Sequence, residues 1–374
     1  MTFRVVVLGG YGHFGARIAR TLAQDPDMEV TVVGRDPSRA ADLAAAIALE
    51  CGRRVDAAAF DVAARDIGAR LRLLEPNLVI HTCGPFQVRD QGVARAALSV
   101  GAHYVDLADA RKFVCGIRAI DDAARSRELL VVSGASSVPG LSGAVIDAFA
   151  HEFDALQSID FAIAPGNRTP RGSATIASVA SYVGRQFGVW DGGAWQPAYG
   201  WQRLRRHRYP PAVGSRWLAD CDVPDLELFP ERYPGVQSVR FGAGLELPIL
   251  HFGLWLLSWP ARWRWIARLE AHTERLRRSS EWFARRGSDV GAMHVEMRGF
   301  RRAHRLTVLW TLIAANGHGP QIPCTPAIVV ARKLAAGTLA ARGAMPCVGL
   351  FSLDECLREL EGYDVRTMVE RTLI

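Results

Sequence analysis

No Cys-x-x-Cys pair occurs in this sequence, and its seven cysteines, at 51, 83, 115, 221, 324, 347 and 356, follow no regular spacing. That excludes a disulfide framework and points to a reduced, cytoplasmic protein. Long Lys/Arg blocks and nucleic-acid-binding motifs are also missing. The formal charge of +7 therefore implies attraction for a phosphorylated or anionic ligand, or for an acidic membrane surface, and no nucleic-acid partner. The first residues offer no basic leader with a long apolar core and cleavage site, so no cleavable signal is expected. No Tyr-x-x-x-Lys pair stands where a short-chain dehydrogenase presents one, and there is no nucleophile elbow or kinase-type glycine loop. His294 and His304 are not joined by a nearby third ligand, so no metal is expected.

What is present is a chain of 374 residues, 49% of them hydrophobic, enough for two domains with a substantial core. Its first third alternates short β-branched runs with helix-forming stretches. Strands are expected at Val5–Leu8, Val30–Val33, Val55–Phe60, Leu78–His81, Tyr104–Leu107 and Leu129–Ser133. Helices are expected between them, among them Ser38–Leu49 and Gln91–Val100. That pattern implies a parallel sheet with helices on both faces.

Gly10-x-Gly12-x-x-Gly15 follows the first strand and opens the first helix. In a dinucleotide site Gly10 permits the tight turn, Gly12 lets the pyrophosphate approach the backbone, and Gly15 lets helix pack on strand. Tyr11, His13 and Phe14 complete this cofactor loop. At the end of the second strand, where an NAD enzyme places an acid, stand Gly34-Arg35-Asp36-Pro37-Ser38-Arg39. Arg35 and Arg39 suit a 2′-phosphate, and Ser38 either donates to it or caps the helix. NADP(H) is therefore the preferred cofactor, with NAD(H) as the alternative if Asp36 reaches the ribose instead. Asp61 either borders the adenine pocket or is an exposed turn residue. Cys83, Gly84, Pro85 and Phe86, after the fourth strand, either touch the cofactor or form a structural turn.

These pieces, together with His81 to Gln87, Tyr104-Val105-Asp106-Leu107 and Gly134 to Gly140, resemble the saccharopine dehydrogenase-like oxidoreductases over roughly residues 1–145. The resemblance implies nicotinamide-dependent oxidoreduction. It also implies a split α/β architecture: a Rossmann-type parallel sheet domain, then a second α+β domain inserted before C-terminal helices that return to the first. We expect the dinucleotide-binding domain over 1–134 and a substrate or dimerisation domain over 135–321. A C-terminal helical segment over 322–374 then packs back on the first domain.

In the second half, Ser158–Ala164, Met293–Arg298 and Leu306–Ala314 read as strands, and Thr325–Ala335 as a helix. A helix opening near Gly172 brings Ser173 and Thr175 close to Arg168 and Arg171. These four are candidates for a substrate carboxylate or phosphate, although helix capping and solvent-facing arginines explain them equally well. All ten tryptophans lie between 190 and 310, in an excursion over 190–290 that has the composition of a lid. Leu245–Trp259 is nearly all apolar but too short to span a bilayer. It is either an interfacial helix, giving peripheral membrane association, or a buried helix or homodimer surface.

For proton transfer to a small-molecule substrate the candidates are Asp106 and Asp109 after the fifth strand and His81 on the fourth. His81 has the most suitable intrinsic pKa. The leading function is an NADP-dependent oxidoreductase acting on an apolar or amino-acid-derived substrate. The competing one is a catalytically silent nucleotide-binding protein with a tryptophan-rich membrane- or partner-binding surface.

Overall fold

Strand β1 (Phe3–Leu8) is a valine run ending in Leu8, and Val5, Val6, Val7 and Leu8 are all buried, as a parallel strand covered on both faces requires. It belongs to a computed structural model that describes residues 2–170, 172–266, 269, 278 and 282–374. The chain forms two units, Met1–Leu141 with Gln321–Glu359, and Ser142–Pro320 with Leu360–Ile374.

In the first unit β1 is joined by β2 (Met28–Gly34), β3 (Asp56–Ala59), β4 (Leu78–His81), β5 (His103–Asp106) and β6 (Leu130–Ser133). With Gly343–Pro346 they make a seven-stranded sheet ordered β3-β2-β1-β4-β5-β6, then Gly343–Pro346 at the edge. Every pair is parallel. The order reverses between β1 and β4, so their carboxyl ends open the crevice in which such sheets bind ligands. The helices are α1 (Gly15–Leu22), α2 (Pro37–Cys51), α3 (Ile67–Leu74), α4 (Gly92–Ser99), α5 (Arg111–Gly116) and α6 (Asp121–Arg125). Helix α2 is framed by its sequence: Asp36 caps it, Pro37 takes the first helical position, and Gly52 ends it at φ 68°.

The second unit holds α7 (Ser142–Phe149), β7 (Ala155–Ala164), α8 (Ser173–Tyr182), β8 (Gln186–Asp191), β9 (Ala194–Tyr199), β10 (Arg205–Arg208) and β11 (Ser215–Asp220). Then come α9 (Asp225–Arg232), β12 (Ser238–Ala243), α10 (Pro248–Arg262), β13 (Gly291–Arg301) and β14 (His304–Ala314). The chain crosses to the first unit for α11 (Thr325–Ala335), β15 (Gly343–Pro346) and α12 (Leu353–Arg358), and closes with β16 (Val365–Leu373) on β14. The second sheet runs β10-β11-β12-β7-β13-β14-β16, with the β8–β9 hairpin attached to β12. Along β7, Ile159 and Phe161 enter the core on one face, while Asp160 and Ala162 lie on the other.

Three expectations change. The first half of the stretch 190–290 is not a lid: it supplies strands β8 to β12 of this sheet, and Trp201 is buried in the core beside Ala219. The segment 322–374 holds helices, but it also adds strands β15 and β16. Residues of β16 are half-buried or exposed without strict alternation, so its sequence lacks a period-2 signal. Helix α10 is not a buried helix either, since only His251 and Ser258 along it are buried.

Candidate functional site

The glycine turn joins β1 to α1. Gly9 holds φ 75°, and the Gly12 N–H donates to the Gly9 carbonyl at 2.7 Å. A Cβ on Gly10 would stand 2.8 Å from Val32 Cγ1, and one on Gly15 2.8 Å from Thr82 Oγ1. Both glycines are therefore required by strand and helix packing, as the dinucleotide fingerprint demands. Thr82 ties β4 to the turn by donating from Oγ1 to the Leu8 carbonyl at 2.8 Å and the Gly9 carbonyl at 3.2 Å. In the first turn of α1, Arg17 donates to the carbonyl of His13, and its Nε is buried without an acceptor.

Tyr11 leaves this turn to reach the end of β2. Its hydroxyl accepts the backbone N–H groups of Arg35 and Asp36, each at 3.0 Å. The Arg39 guanidinium lies 4.4 Å from its ring centroid. Asp36 Oδ1 caps α2, accepting from Ser38 N at 3.0 Å, Ser38 Oγ at 2.7 Å and Arg39 N at 3.2 Å. The Ser38 hydroxyl thus serves the cap, while the side chains of Arg35 and Arg39 are exposed beside the glycine turn. His13 and Phe14 stack edge to face at 5.0 Å, half-buried at the mouth of the turn.

At the end of β4, burial pushes the Cys83 thiol up to about 11, so it stays protonated at neutral pH. Gly84 and Pro85 are half-buried and lead into Phe86, which is a core residue: its ring packs 5.1 Å from both His81 and Phe113. Asp61, after β3, is exposed and accepts the Ala63 N–H at 2.9 Å, which is the turn role.

Residues 5–132 match the family model described as the saccharopine dehydrogenase NADP binding domain. The chain resembles the saccharopine dehydrogenase-like NAD(P)-binding oxidoreductases. The fold extends the likeness to both units. Apo saccharopine dehydrogenase (L-Glu forming) from Saccharomyces cerevisiae superposes with a TM-score of 0.67 at 14% identity, over 98% of this chain and 100% of that one. Homospermidine synthase from Legionella pneumophila, solved with NAD, gives 0.64 at 11% identity, over 100% and 92%. No curated protein matches the sequence.

Within the first unit the three proton-transfer candidates separate. His81 is 1% exposed, its Nδ1 lies 2.9 Å from the Tyr104 hydroxyl, and burial, reinforced by Arg89, lowers its pKa to about 3. Such a group is neutral and sealed. Asp106 is fully buried, and its Oδ1 accepts from Ala108 N, Ser133 Oγ and Gly134 N, each at 2.9 Å. Burial raises its pKa to about 6 despite those bonds. It fastens the loops after β5 and β6, and like His81 it is buried. Asp109 is half-buried, and its Oδ1 accepts from Gln87 Nε2 at 3.1 Å. Gln87 also lines a cavity of about 600 Å³ with Phe86, Phe113 and the cations Arg89, Arg95 and Lys112.

Sequence reasoning missed Arg17, Thr82 and Arg89. For Arg17 a signal existed: a cation in the first turn opposes the helix dipole unless an anion is bound there. In the second unit Arg168 is exposed, with its backbone N–H on the Ser288 carbonyl at 2.9 Å. Arg171 lies outside the described residues, as do the side chains of Ser173 and Thr175. A polar cluster there went unforeseen. His207 stacks on His294 at 3.8 Å, Tyr209 Oη lies 2.8 Å from His294 Nδ1, and Arg205 bridges Asp160 and Asp220 at 2.9 and 3.0 Å. Among the described residues no three His, Cys, Asp or Glu side chains are grouped to hold a metal.

Proposed function

We propose that the chain is an NADP-dependent oxidoreductase acting on a small organic substrate, either apolar or amino-acid-derived. The observation that carries this reading is the pair of exposed arginines at the end of β2, Arg35 and Arg39, both organised by Tyr11 of the glycine turn. Their positions suit a 2′-phosphate, while Asp36 Oδ1 is engaged in the α2 cap. Backbone N–H groups at the start of α1, with Arg17 behind them, suit the pyrophosphate. Gly84, half-buried after β4, offers no side chain to block a ring at that edge. When bound, NADPH would supply the hydride.

Of the three acid–base candidates we favour Asp109, because it alone is half-buried rather than buried and Gln87 Nε2 donates to its Oδ1. It would accept a proton from a substrate amine or hydroxyl in the oxidative direction. In the lining of the neighbouring cavity Arg89, Arg95 and Lys112 outnumber Asp90, which favours a substrate carrying a carboxylate beside the rings of Phe86 and Phe113. Arg168, Arg171, Ser173 and Thr175 remain the proposed substrate contacts of the second unit. We place the protein in the cytoplasm, with peripheral attachment to a membrane through α10, and as a homodimer.

Sealing of both His81 and Asp106 favours a second reading, a nucleotide-binding protein without turnover. Anaerobic spectra of the purified protein with NADPH and a panel of carbonyl, imine and alkene acceptors separate the two. Oxidation of NADPH that depends on an acceptor supports the enzyme; tight NADPH binding with no turnover across the panel would support the silent protein.

A further inference from the structure

Helix α10 carries no acidic residue, and apolar side chains face outward along it. Ile249, Leu256 and Trp263 recur every seven residues, which places them on one line along the helix. They are 62%, 61% and 55% exposed, and Trp265 just beyond is 78% exposed. A row of aromatic rings runs beside that line. Phe252, Trp255, Trp259, Trp263 and Trp265 meet in succession at centroid separations of 6.3, 6.3, 5.8 and 5.4 Å. Fifteen residues of helix extend about 22 Å, short of the roughly 30 Å hydrocarbon core, so this element cannot span a bilayer. Among the described residues no helix is long and apolar enough to do so.

The row ends at a cavity of about 680 Å³ whose wall includes Arg185, Arg262, Arg264, Gln186, Tyr199 and Trp263, with no carboxylate among the described residues of its lining. Arg262 is fixed: its guanidinium lies 3.8 Å from the Tyr199 ring centroid and donates to Gln202 Oε1 at 2.9 Å. Gly184, at φ 70°, brings the turn that carries Arg185 against the last turn of α10. A Cβ there would stand 2.7 Å from Arg262 N. The surrounding sequence is strongly basic, with eight arginines against three glutamates between Leu247 and Ser288.

We propose that α10 seats the protein on an anionic bilayer surface. Its outward apolar line enters the interface, and the Arg185–Arg262–Arg264 cavity receives a phospholipid phosphate. This rests on the peripheral attachment proposed above and adds to it the lipid class and the contact residues. Tryptophan rings at the headgroup level, a basic flank and a helix too short to cross are what an in-plane anchor requires. Complementary charge selects the lipid surface over a second copy of this chain, which would bring the same arginines face to face.

The test is flotation of the full-length protein with phosphatidylcholine vesicles, with and without phosphatidylserine, together with tryptophan emission in the presence of brominated lipid. We expect binding to the anionic vesicles, a blue-shifted and quenched emission, and release by salt. Arg185→Ala and Arg264→Ala should each lower partitioning about five-fold. The double variant Trp263→Ala/Trp265→Ala should lower it about ten-fold or more. All these side chains are exposed, and unchanged thermal midpoints would confirm that the variants fold. Absence of flotation on both vesicle types would overturn the proposal and the peripheral attachment together. Equal binding to both vesicle types, insensitive to the arginine variants, would overturn the phosphate cavity and leave an apolar attachment. Saturable binding of soluble glycerol phosphate, lost in Arg264→Ala without any flotation, would reassign the cavity to a small phosphorylated molecule. A dimer in solution that dissociates in the Trp263/Trp265 variant would make the face an interface between copies.

Discussion

The hydroxyl of Tyr11 accepts the backbone N–H of Arg35 at 3.0 Å. A side chain of the glycine turn thus fixes the residue that stands at the end of the neighbouring strand. The same ring fills the space that a Cβ on Gly34 would take, and it lies under the Arg39 guanidinium. The loop suited to a pyrophosphate and the cations suited to a 2′-phosphate are therefore one mechanical unit.

Cofactor discrimination should follow from that unit. Replacing Arg35 with Ala should weaken NADPH binding about 10- to 100-fold and change NADH binding only a few-fold, as expected for loss of a charge-assisted pair. Tyr11→Phe keeps the ring but removes the acceptor for two N–H groups, so NADPH affinity should fall by a smaller factor, about 5-fold. Calorimetric titration of both cofactors decides it. Equal losses for NADPH and NADH in Arg35→Ala would move Arg35 away from the 2′-phosphate.

Arg17 should behave differently. Its position in the first turn of α1, against the helix dipole, makes sense beside the pyrophosphate that both cofactors share. Arg17→Ala should therefore weaken NADPH and NADH by the same factor, about 10-fold. Without cofactor the same variant should be slightly more stable, because a cation leaves the positive end of a helix. Thermal melting with and without saturating cofactor measures both effects, and a loss confined to NADPH would contradict the assignment.

Much of the first unit could be read from local pattern, because its signals are local. Buried parallel strands are continuous apolar runs, and Leu78–His81 matches its expected limits. The glycine spacing specifies a turn by itself. Asp106 illustrates the opposite case. A carboxylate at the end of a strand reads as a proton-transfer candidate, and its burial could not be read locally because its donors Ser133 and Gly134 lie on the next strand and its connection, over 20 residues along the chain. Strand β10 was hidden for another reason. Its residues Arg205-Arg206-His207-Arg208 are polar throughout, since Arg205 pairs with the buried Asp220 and His207 stacks on the buried His294 rather than on an apolar core. Likewise, α10 reads as a core helix by composition, and only its exposure separates it from one.

Asp106 supplies a test of its structural role. Asn keeps an acceptor for Ala108 N, Ser133 Oγ and Gly134 N but removes the buried charge. Its folded pKa of about 6, above the unfolded value of 3.8, makes the ionised form cost about 3 kcal/mol at neutral pH. Asp106→Asn should therefore be at least as stable as the wild type at pH 7, with NADPH binding intact. Asp106→Ala, which strands three donors, should lose about 3–5 kcal/mol. Denaturant unfolding of the two variants checks this; a destabilised Asn variant would show that the carboxylate charge itself holds the loops.

The same shifts set the acid response, through opposing signs. His81 is held neutral in the folded state with a pKa of about 3, against 6.5 when unfolded. Below pH 6.5 the unfolded chain therefore binds the extra proton, and the stability that His81 contributes at neutral pH drains away as pH falls toward 3. At pH 5 that loss is about 2 kcal/mol. Burial lowers His103, His207 and His251 to about 4, so they add to it in the same direction. Asp106 opposes them, because its folded pKa is raised: its penalty is present above pH 6 and relieved as pH falls from 6 toward 3.8. Burial also lowers His13 and raises Asp220, so among the described residues five histidines stand against two carboxylates, which should give a thermal midpoint that drops between pH 7 and pH 5. Asp106→Asn removes one compensating term and should steepen the drop, whereas His81→Gln should make it shallower. Calorimetric scans at pH 5, 6 and 7 read all three slopes. A midpoint that rises on acidification in the wild type, or an Asp106→Asn slope shallower than the wild type's, would show that these buried groups do not control the pH response.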